Sequence, residues 1–365
     1  MGSASAEAGY LPLLAMIFVQ TGYAGLNILT KLAMEDGLHP YILVPYRQII
    51  ATIALAPLAF FIERKKRPPI TWKILLESIF CSLFGATLNQ YCYFFGLQHT
   101  TATIAVAAAN TLPAVTFIVS ALFRVEKVQI RTRVGQAKVI GTCVCVGGAM
   151  LLSFYHGPKI NVPASGVHLK LSEKIEAGAG RTSILGPFLI IASGVAWAFW
   201  LMVQTKLSRR FPVPFTSTTM MCFFSSIQCV FVSLIIDRSS AAWLPKSGIQ
   251  IGAIVYAGIV PSAIGFFLMS WTTGKRGPLY VSVFSPLLLI IVAVLSWVLM
   301  NEKLYVGTLV GAVIIVLGLY TVLWGKSKEM QANRKAQKLA ESENANHVEL
   351  QIPNADANES TAAKR

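Results

Sequence analysis

Thr30-Lys31-Leu32 closes the first apolar run of this 365-residue chain, and the same three residues return as Thr205-Lys206-Leu207 at the close of the sixth, 175 residues later. Glu126-Lys127 follows the fourth run and returns as Glu302-Lys303 after the ninth, 176 residues on. Ten apolar runs fill residues 10 to 324, so the chain reads as a five-run unit used twice. An odd number of crossings per unit makes the two copies span a bilayer in opposite senses. Inverted repeats of that kind belong to secondary transporters, which hold their substrate near the midplane where the halves meet.

Composition agrees with a bilayer as the solvent. The chain is 55% hydrophobic and 13% charged, with mean hydropathy +0.61, whereas soluble domains carry about 25% charged residues. A crossing helix needs roughly 20 mostly apolar residues. Runs of that length lie at about 11–33, 41–62, 73–96, 102–123, 136–155, 184–206, 215–236, 249–272, 279–299 and 305–324. Their apolar character is continuous rather than alternating, which predicts helices and not barrel strands. The expected architecture is an all-α membrane protein of ten transmembrane helices. It divides into a short N-terminus (1–10), a first unit (11–155), a linker loop (156–183), a second unit (184–324) and a polar tail (325–365). The first run has no basic flank or small-residue cleavage site, so it reads as retained. Ala6 stands where a myristoylation signal needs Ser or Thr.

Charge sets the orientation. With the N-terminus in the cytosol, 22 of the Lys and Arg residues fall in cytosolic loops and tail and eight fall outside, with Arg47 inside a run. Both termini are therefore expected in the cytosol. The basic excess is topological, and nucleic-acid binding is not expected. The loop at 156–183, with Gly157-Pro158, Pro163 and Gly178-Ala179-Gly180, reads as an extracytosolic linker. In the tail, residues 326–340 suit a short helix bearing Lys328, Arg334, Lys335 and Lys338 near anionic headgroups, or simply a solvated segment, and the part after about 342 reads as disordered. The Asn358-Glu359-Ser360 sequon lies in a segment expected to be cytosolic and is discounted.

The runs lack the groups that catalysis and ion coupling require. Glu63, Glu77, Glu126 and Glu302 all sit at or near run ends, and the five histidines lie in loops or tail. Cys81, Cys92, Cys143, Cys145, Cys222 and Cys229 lie inside runs without metal-site spacing, and read as small packing residues. An enzyme, a metal site and a cofactor are therefore not expected. Proton- and ion-coupled carriers place carboxylates or histidines in the membrane, so uncoupled facilitation is the expectation.

What the runs do carry is one cation and a set of neutral polar groups. Arg47 lies about seven residues into the second run, roughly 10 Å deep at 1.5 Å per residue. It can attract a carboxylate-bearing solute, pair with Glu35 or Asp36 in an outer gate, or snorkel to the interface and cap helix carbonyls. Gln20 and Asn27 share a helical face in the first run; Asn89, Gln90 and Tyr93 lie in the third, Asn110 in the fourth, Trp197, Trp200 and Gln204 in the sixth, and Ser285 in the ninth. Amides facing lipid are costly, so these point inward, either as a pocket for a small polar or amphipathic solute or as bonds between helices. Pro113 and Pro286 interrupt runs four and nine, and interrupted helices in the two halves point to a transporter's site. Gly307-x-x-x-Gly311, and Gly141 with Gly148 matching Gly311 with Gly318, permit close helix contact. That contact joins either the two halves or two copies in a homo-oligomer.

Several stretches resemble the plant nodulin-like, walls-are-thin-related branch of the drug/metabolite transporter superfamily. They are Gln20-Thr-Gly-Tyr-Ala-Gly25, Pro45-Tyr-Arg-Gln48, Glu63-Arg-Lys-Lys-Arg-Pro68, Asn110-Thr-Leu-Pro-Ala-Val-Thr-Phe117, Arg124-Val-Glu-Lys127, Tyr256-Ala-Gly258, Arg276-Gly-Pro278, Gly318-Leu-Tyr320 and Trp324-Gly-Lys326. The resemblance spans about 10 to 326. It implies ten helices as two inverted five-helix EamA repeats, in plasma membrane or tonoplast, moving amino acids or, in one member, auxin. Substrate does not carry over. An amino acid facilitator leads, an auxin or indole carrier is its nearest rival, and a membrane receptor signalling through the tail is the alternative of another class.

Overall fold

The computed structural model describes residues 2–100, 108–123, 125, 131–155, 157–158, 185–236, 243–300 and 305–350. The Glu126-Lys127 and Glu302-Lys303 pair, most of the 156–183 loop and residues 351–365 lie outside them. The described residues are helical, with no β-strand among them. α1 is Gly2–Glu35 and α2 is Pro40–Glu63. α3 runs without a break through Trp72–Ser82, a π-helical turn at Leu83–Leu88, and Asn89–Gln98. α4 is Leu112–Leu122, α5 Arg133–Phe154, α6 Leu185–Arg210 and α7 Pro214–Ile236. α8 joins Gly248–Ala257, a second π-helical turn at Gly258–Gly265, and Phe266–Arg276. α9 is Pro278–Ser282 followed, after a break, by Ser285–Met300, and α10 is Val306–Leu350.

Eight of these helices are long and apolar enough to cross a membrane, where the ten apolar runs predict ten crossings. α3 falls outside the eight because Asn89, Gln90 and Gln98 dilute its apolar character. α4 is short because the chain turns at Thr111, just before Pro113. The burial pattern is that of a protein in lipid, with Phe61, Phe188, Phe231 and Leu309 exposed on outer faces. At the other end of the chain, α10 continues to Leu350, where a disordered segment after about 342 was expected.

The helices pair across the two halves. α2 packs along α7, and α5 along α10; α1 meets α8 and α9, while α6 meets α3 and α4. The α2–α7 pair is antiparallel. At one end the Glu63 carboxylate accepts from the backbone N–H groups of Phe215 (3.0 Å) and Thr216 (2.7 Å), and at the other Ser233 donates to the Tyr41 carbonyl (2.6 Å). Glu63 thereby satisfies donors that the first turn of any helix leaves open, and it is buried there. Arg210 at the end of α6 pairs with Glu77 of α3.

α5 and α10 touch through glycine. A Cβ on Gly141 would fall 2.6 Å from Val322 and 2.9 Å from the Gly318 carbonyl, and one on Gly148 would fall 2.9 Å from the Ile315 nitrogen. Gly311 and Gly318 meet Leu152 and Cys145 just as closely, at 2.6 Å each. The order of contacts makes this pair antiparallel as well. The sequence left open whether the glycines join halves or copies; here they join the halves. Beyond the seam, Glu329 of α10 accepts from Lys138 (2.9 Å) and Lys326 (3.2 Å).

Small-to-large changes in a packed seam typically cost 1–3 kcal/mol or more. Gly148→Leu or Gly318→Val should therefore lower the melting temperature of the purified protein clearly. Gly147→Leu, one residue away where a Cβ meets open space, should leave it nearly unchanged.

Candidate functional site

The two π-helical turns occupy corresponding places in the halves. Adding the 176-residue shift to Leu83–Leu88 gives 259–264, inside Gly258–Gly265. π-turns are uncommon and concentrate at functional sites. The first stands immediately before Asn89 and Gln90. The second has a local chemical cause in Pro261, which has no N–H to offer the carbonyl four residues back, that of Ala257. Ser262 supplies the missing donor, its hydroxyl bonding the Ala257 carbonyl at 2.8 Å.

The same hydroxyl oxygen accepts from Arg47 Nε of α2 at 2.8 Å. Arg47 is 3% exposed, and its Nη2 has no protein partner. Neither Glu35 nor Asp36 pairs with it. Asp36 instead accepts from the Ser247 hydroxyl, and its carbonyl accepts from Gln250 Nε2 (2.7 Å). Arg47 is thus turned inward and tied to α8, not to an outer-gate carboxylate or an interface.

Arg47 forms part of the wall of a cavity of about 470 Å³ at the centre of the helices. Gln20, Asn27, Asn89, Gln90, Tyr93, Asn110, Trp197 and Ser285 line it too, with the helix-breaking Pro113 and Pro286. Near these prolines the chain turns at Thr111 and at Val283–Phe284. The sequence reading missed Tyr23, Thr30 and Lys31 of α1, and Ser193 of α6. A signal for the first three was present. Positions 20, 23, 27, 30, 31 and 34 recur at helical spacing, and all six residues line the cavity. Ser193 had no such pattern to reveal it.

Several amides serve the framework and the cavity together. Asn110 Nδ2 donates to Ser153 Oγ (2.9 Å) and the Ala149 carbonyl (3.3 Å) of α5. Asn89 Nδ2 donates to Ser193 Oγ and carbonyl, each at 3.0 Å, and Gln90 Nε2 donates to Asn89 Oδ1 at 3.3 Å. The donors are used by the protein, while Asn110 Oδ1 and Gln90 Oε1 remain as acceptors on the wall. Among the described residues, Arg47 and Lys31 are the charged side chains lining the cavity, and no carboxylate or histidine joins them.

Trp200 and Gln204 do not line the cavity, contrary to the sequence reading. Gln204 shares a face with Trp197 but stands two turns further along α6, about 10 Å, beyond the cavity's end. Its Nε2 bonds Ser270 (2.5 Å) and Ser208 (3.3 Å). Trp200 is fully buried, donates to Met221 Sδ at 3.2 Å, and packs between Trp197 (4.7 Å) and Phe266 (5.4 Å). Periodicity showed which face these residues share but not how deep the cavity reaches. They pack beneath its end without lining it.

A bundle of apolar helices around a central cavity, with paired helix irregularities in two halves, defines a membrane transporter class. The EamA-like transporter family model matches residues 10–154 and 184–324, one match per half. Protein WALLS ARE THIN 1 of Arabidopsis thaliana is 38% identical over 323 residues, covering 87% of this chain and 83% of the relative. Two WAT1-related proteins of the same plant are also 38% identical, over 328 and 319 residues, with 88% and 87% of this chain and 82% and 85% of the relatives covered. A solved crystal structure at 19% identity aligns with TM-score 0.61 over 87% of this chain and 97% of the other, a likeness of fold. The chain belongs to the EamA-like transporter family and, within it, to the WAT1-related proteins.

Replacing Ser262 with Ala removes one hydroxyl and strands buried Arg47 Nε, while the Ala257 carbonyl keeps the backbone bond of the π-helical turn. At about 1–3 kcal/mol for a buried group so stranded, Ser262→Ala should lower thermal stability measurably. Ser225→Ala, whose hydroxyl contacts only Cys229 Sγ, should cost much less.

Proposed function

We propose that the protein is a bidirectional, uncoupled facilitator of small carboxylate-bearing metabolites, amino acids first among them. The observation carrying this reading is the cavity wall. Arg47 offers positive charge to a carboxylate, while Asn110 Oδ1 and Gln90 Oε1 offer acceptors to an ammonium or other N–H donor. Tyr93, Phe94 and Trp197 give a side chain an aromatic surface. A guanidinium presents a planar fork that matches a carboxylate, and Ser262 holds that fork by Nε. An indole acetate carrier is the second reading, favoured by the aromatic wall and by the absence of a lining carboxylate, among the described residues, to meet an ammonium.

In this reading ten helices cross the membrane as two inverted five-helix units, with both termini cytosolic. The antiparallel run of α2 against α7 and of α5 against α10 supports it. A helix and its own counterpart lie antiparallel when the relating axis is in the membrane plane, and parallel when the axis stands along its normal. So does the exchange of partners, in which α1 with α8 and α9 answers α6 with α3 and α4. The cavity then opens toward the outer ends of α1, α3, α4 and α6, with Trp200 and Gln204 closing the cytosolic side. The membrane concerned is plasma membrane or tonoplast.

Radiotracer flux in oocytes expressing the chain, with an amino acid panel and indole acetate, tests the substrate class. Flux should follow the solute gradient and survive a protonophore. Accumulation above equilibrium that collapses with the proton gradient would overturn uncoupled transport. Arg47→Lys should weaken carboxylate affinity by roughly ten- to a hundredfold, the worth of a hydrogen bond to a charged group. Replacing Asn110 or Gln90 with a similar-sized apolar residue should cut affinity per folded molecule. Changes confined to melting temperature would mark these residues as framework alone.

Topology has its own measurement. Single cysteines placed in 156–183 of a cysteine-free background should react with an impermeant thiol reagent from the extracytosolic side. Labelling from the cytosol would refute the inverted arrangement.

A further inference from the structure

A second concavity lies away from the transport cavity, on the lipid-facing side of the α2–α7 pair. It encloses about 360 Å³ between Thr52 and Ala56 of α2, Thr219, Met220, Phe223 and Phe224 of α7, Ile70 of the α2–α3 connection, and Leu75 at the start of α3. Its two threonines turn their hydroxyls away, Thr52 donating to the Gln48 carbonyl and Thr219 to the Phe215 carbonyl, each at 2.8 Å. Only their methyl groups are left to the wall, which is therefore apolar throughout. The groove lies within about three turns of the end of α2 and of the start of α7, and Ile70 carries its wall into the α2–α3 connection at that end of the bundle.

The connection that borders it is strongly basic. Arg64, Lys65, Lys66, Arg67 and Lys73 are all exposed, and Ile70, part of the groove wall, stands three residues from both Arg67 and Lys73. Three residues of chain span at most roughly 11 Å, so both cations are within side-chain reach of the groove mouth. The neighbouring carboxylates are engaged elsewhere, Glu63 on the first N–H groups of α7 and Glu77 on Arg210. Trp72, 71% exposed, stands beside them as interfacial tryptophans do.

We propose that this groove is a binding site for one anionic phospholipid, its acyl chain between α2 and α7 and its phosphate over Arg67 and Lys73. An apolar slot beneath a ring of cations matches both parts of such a lipid, and a zwitterionic lipid matches only the slot. Because α2 and α7 come from different repeats, the bound lipid would bridge the two halves beside the Glu63 cap. The site is separate from the transport cavity, with which it shares no lining residue.

The test uses the full-length purified chain, delipidated in detergent and titrated with phosphatidylglycerol, phosphatidylcholine or soluble glycerol phosphate. Melting temperature and native mass spectrometry provide the readouts. Phosphatidylglycerol should raise the melting temperature saturably and be retained at one molecule per chain, with the other two nearly inert. Arg67→Gln with Lys73→Gln should weaken that response by roughly thirtyfold, at about 1 kcal/mol per interfacial cation. Ala56→Leu, which narrows the slot from the lipid side, should remove it as well. Both variants should keep the wild-type melting temperature in detergent alone. An equal response to phosphatidylcholine, a response to glycerol phosphate, or a phosphatidylglycerol response intact in Ala56→Leu would each overturn the proposal. A variant already unstable in detergent would overturn it too, by showing that these residues hold the fold.

Discussion

A guanidinium in hydrocarbon has to be given partners by the protein, since lipid offers none. Here a serine hydroxyl, available because Pro261 deprives the Ala257 carbonyl of its usual donor, accepts from Arg47 Nε, and the Tyr23 hydroxyl stands beside the guanidinium. The proline makes the π-turn, the π-turn places Ser262, and Ser262 orients Arg47. Around this link α2 and α8 must lie close, and they do. A Cβ on Gly258 would fall 2.5 Å from Ile50 and 3.2 Å from the Arg47 carbonyl. The charge at the cavity wall thus dictates how near two helices from different repeats must approach.

The two halves use their equivalent irregularities differently. In α3 the π-turn leads into Asn89 and Gln90, whose amides bond sideways to α6 and to each other. In α8 it leads to a hydroxyl that reaches across to a cation. One repeat supplies neutral acceptors and the other supplies the hold on the charge. A solute between them meets unlike walls although the framework repeats.

Much of this was readable in the residues, for reasons that also mark where reading stops. Apolar run length and the Thr-Lys-Leu echo reveal the helices and the duplication, because the bilayer imposes a length and a period. Buried amides point inward for the same reason, and Asn27, Asn89, Gln90 and Asn110 line one cavity. Depth was not legible. Trp197 and Gln204 share a face, and only the three-dimensional packing places Gln204 beneath the cavity with Ser270. Pro261 is one of several prolines inside runs, and nothing in the residues beside it marks a π-helical turn rather than an ordinary kink. Arg47's partner was equally hidden, since a serine 215 residues away carries no charge to betray the pairing.

The glycine seam between α5 and α10 has a mechanical consequence. With backbones nearly touching, the two helices have no room to slide and behave as one stiff double column. Among the described residues, neither helix contributes to the cavity wall. The column is therefore an anchor post rather than a moving wall, and rearrangement about a solute falls to the helices around it. The long C-terminal extension of α10 is mounted on that post, secured by the Glu329 bridges. Whatever pulls or binds there loads the frame of the machine and reaches the solute only by tilting the whole of it.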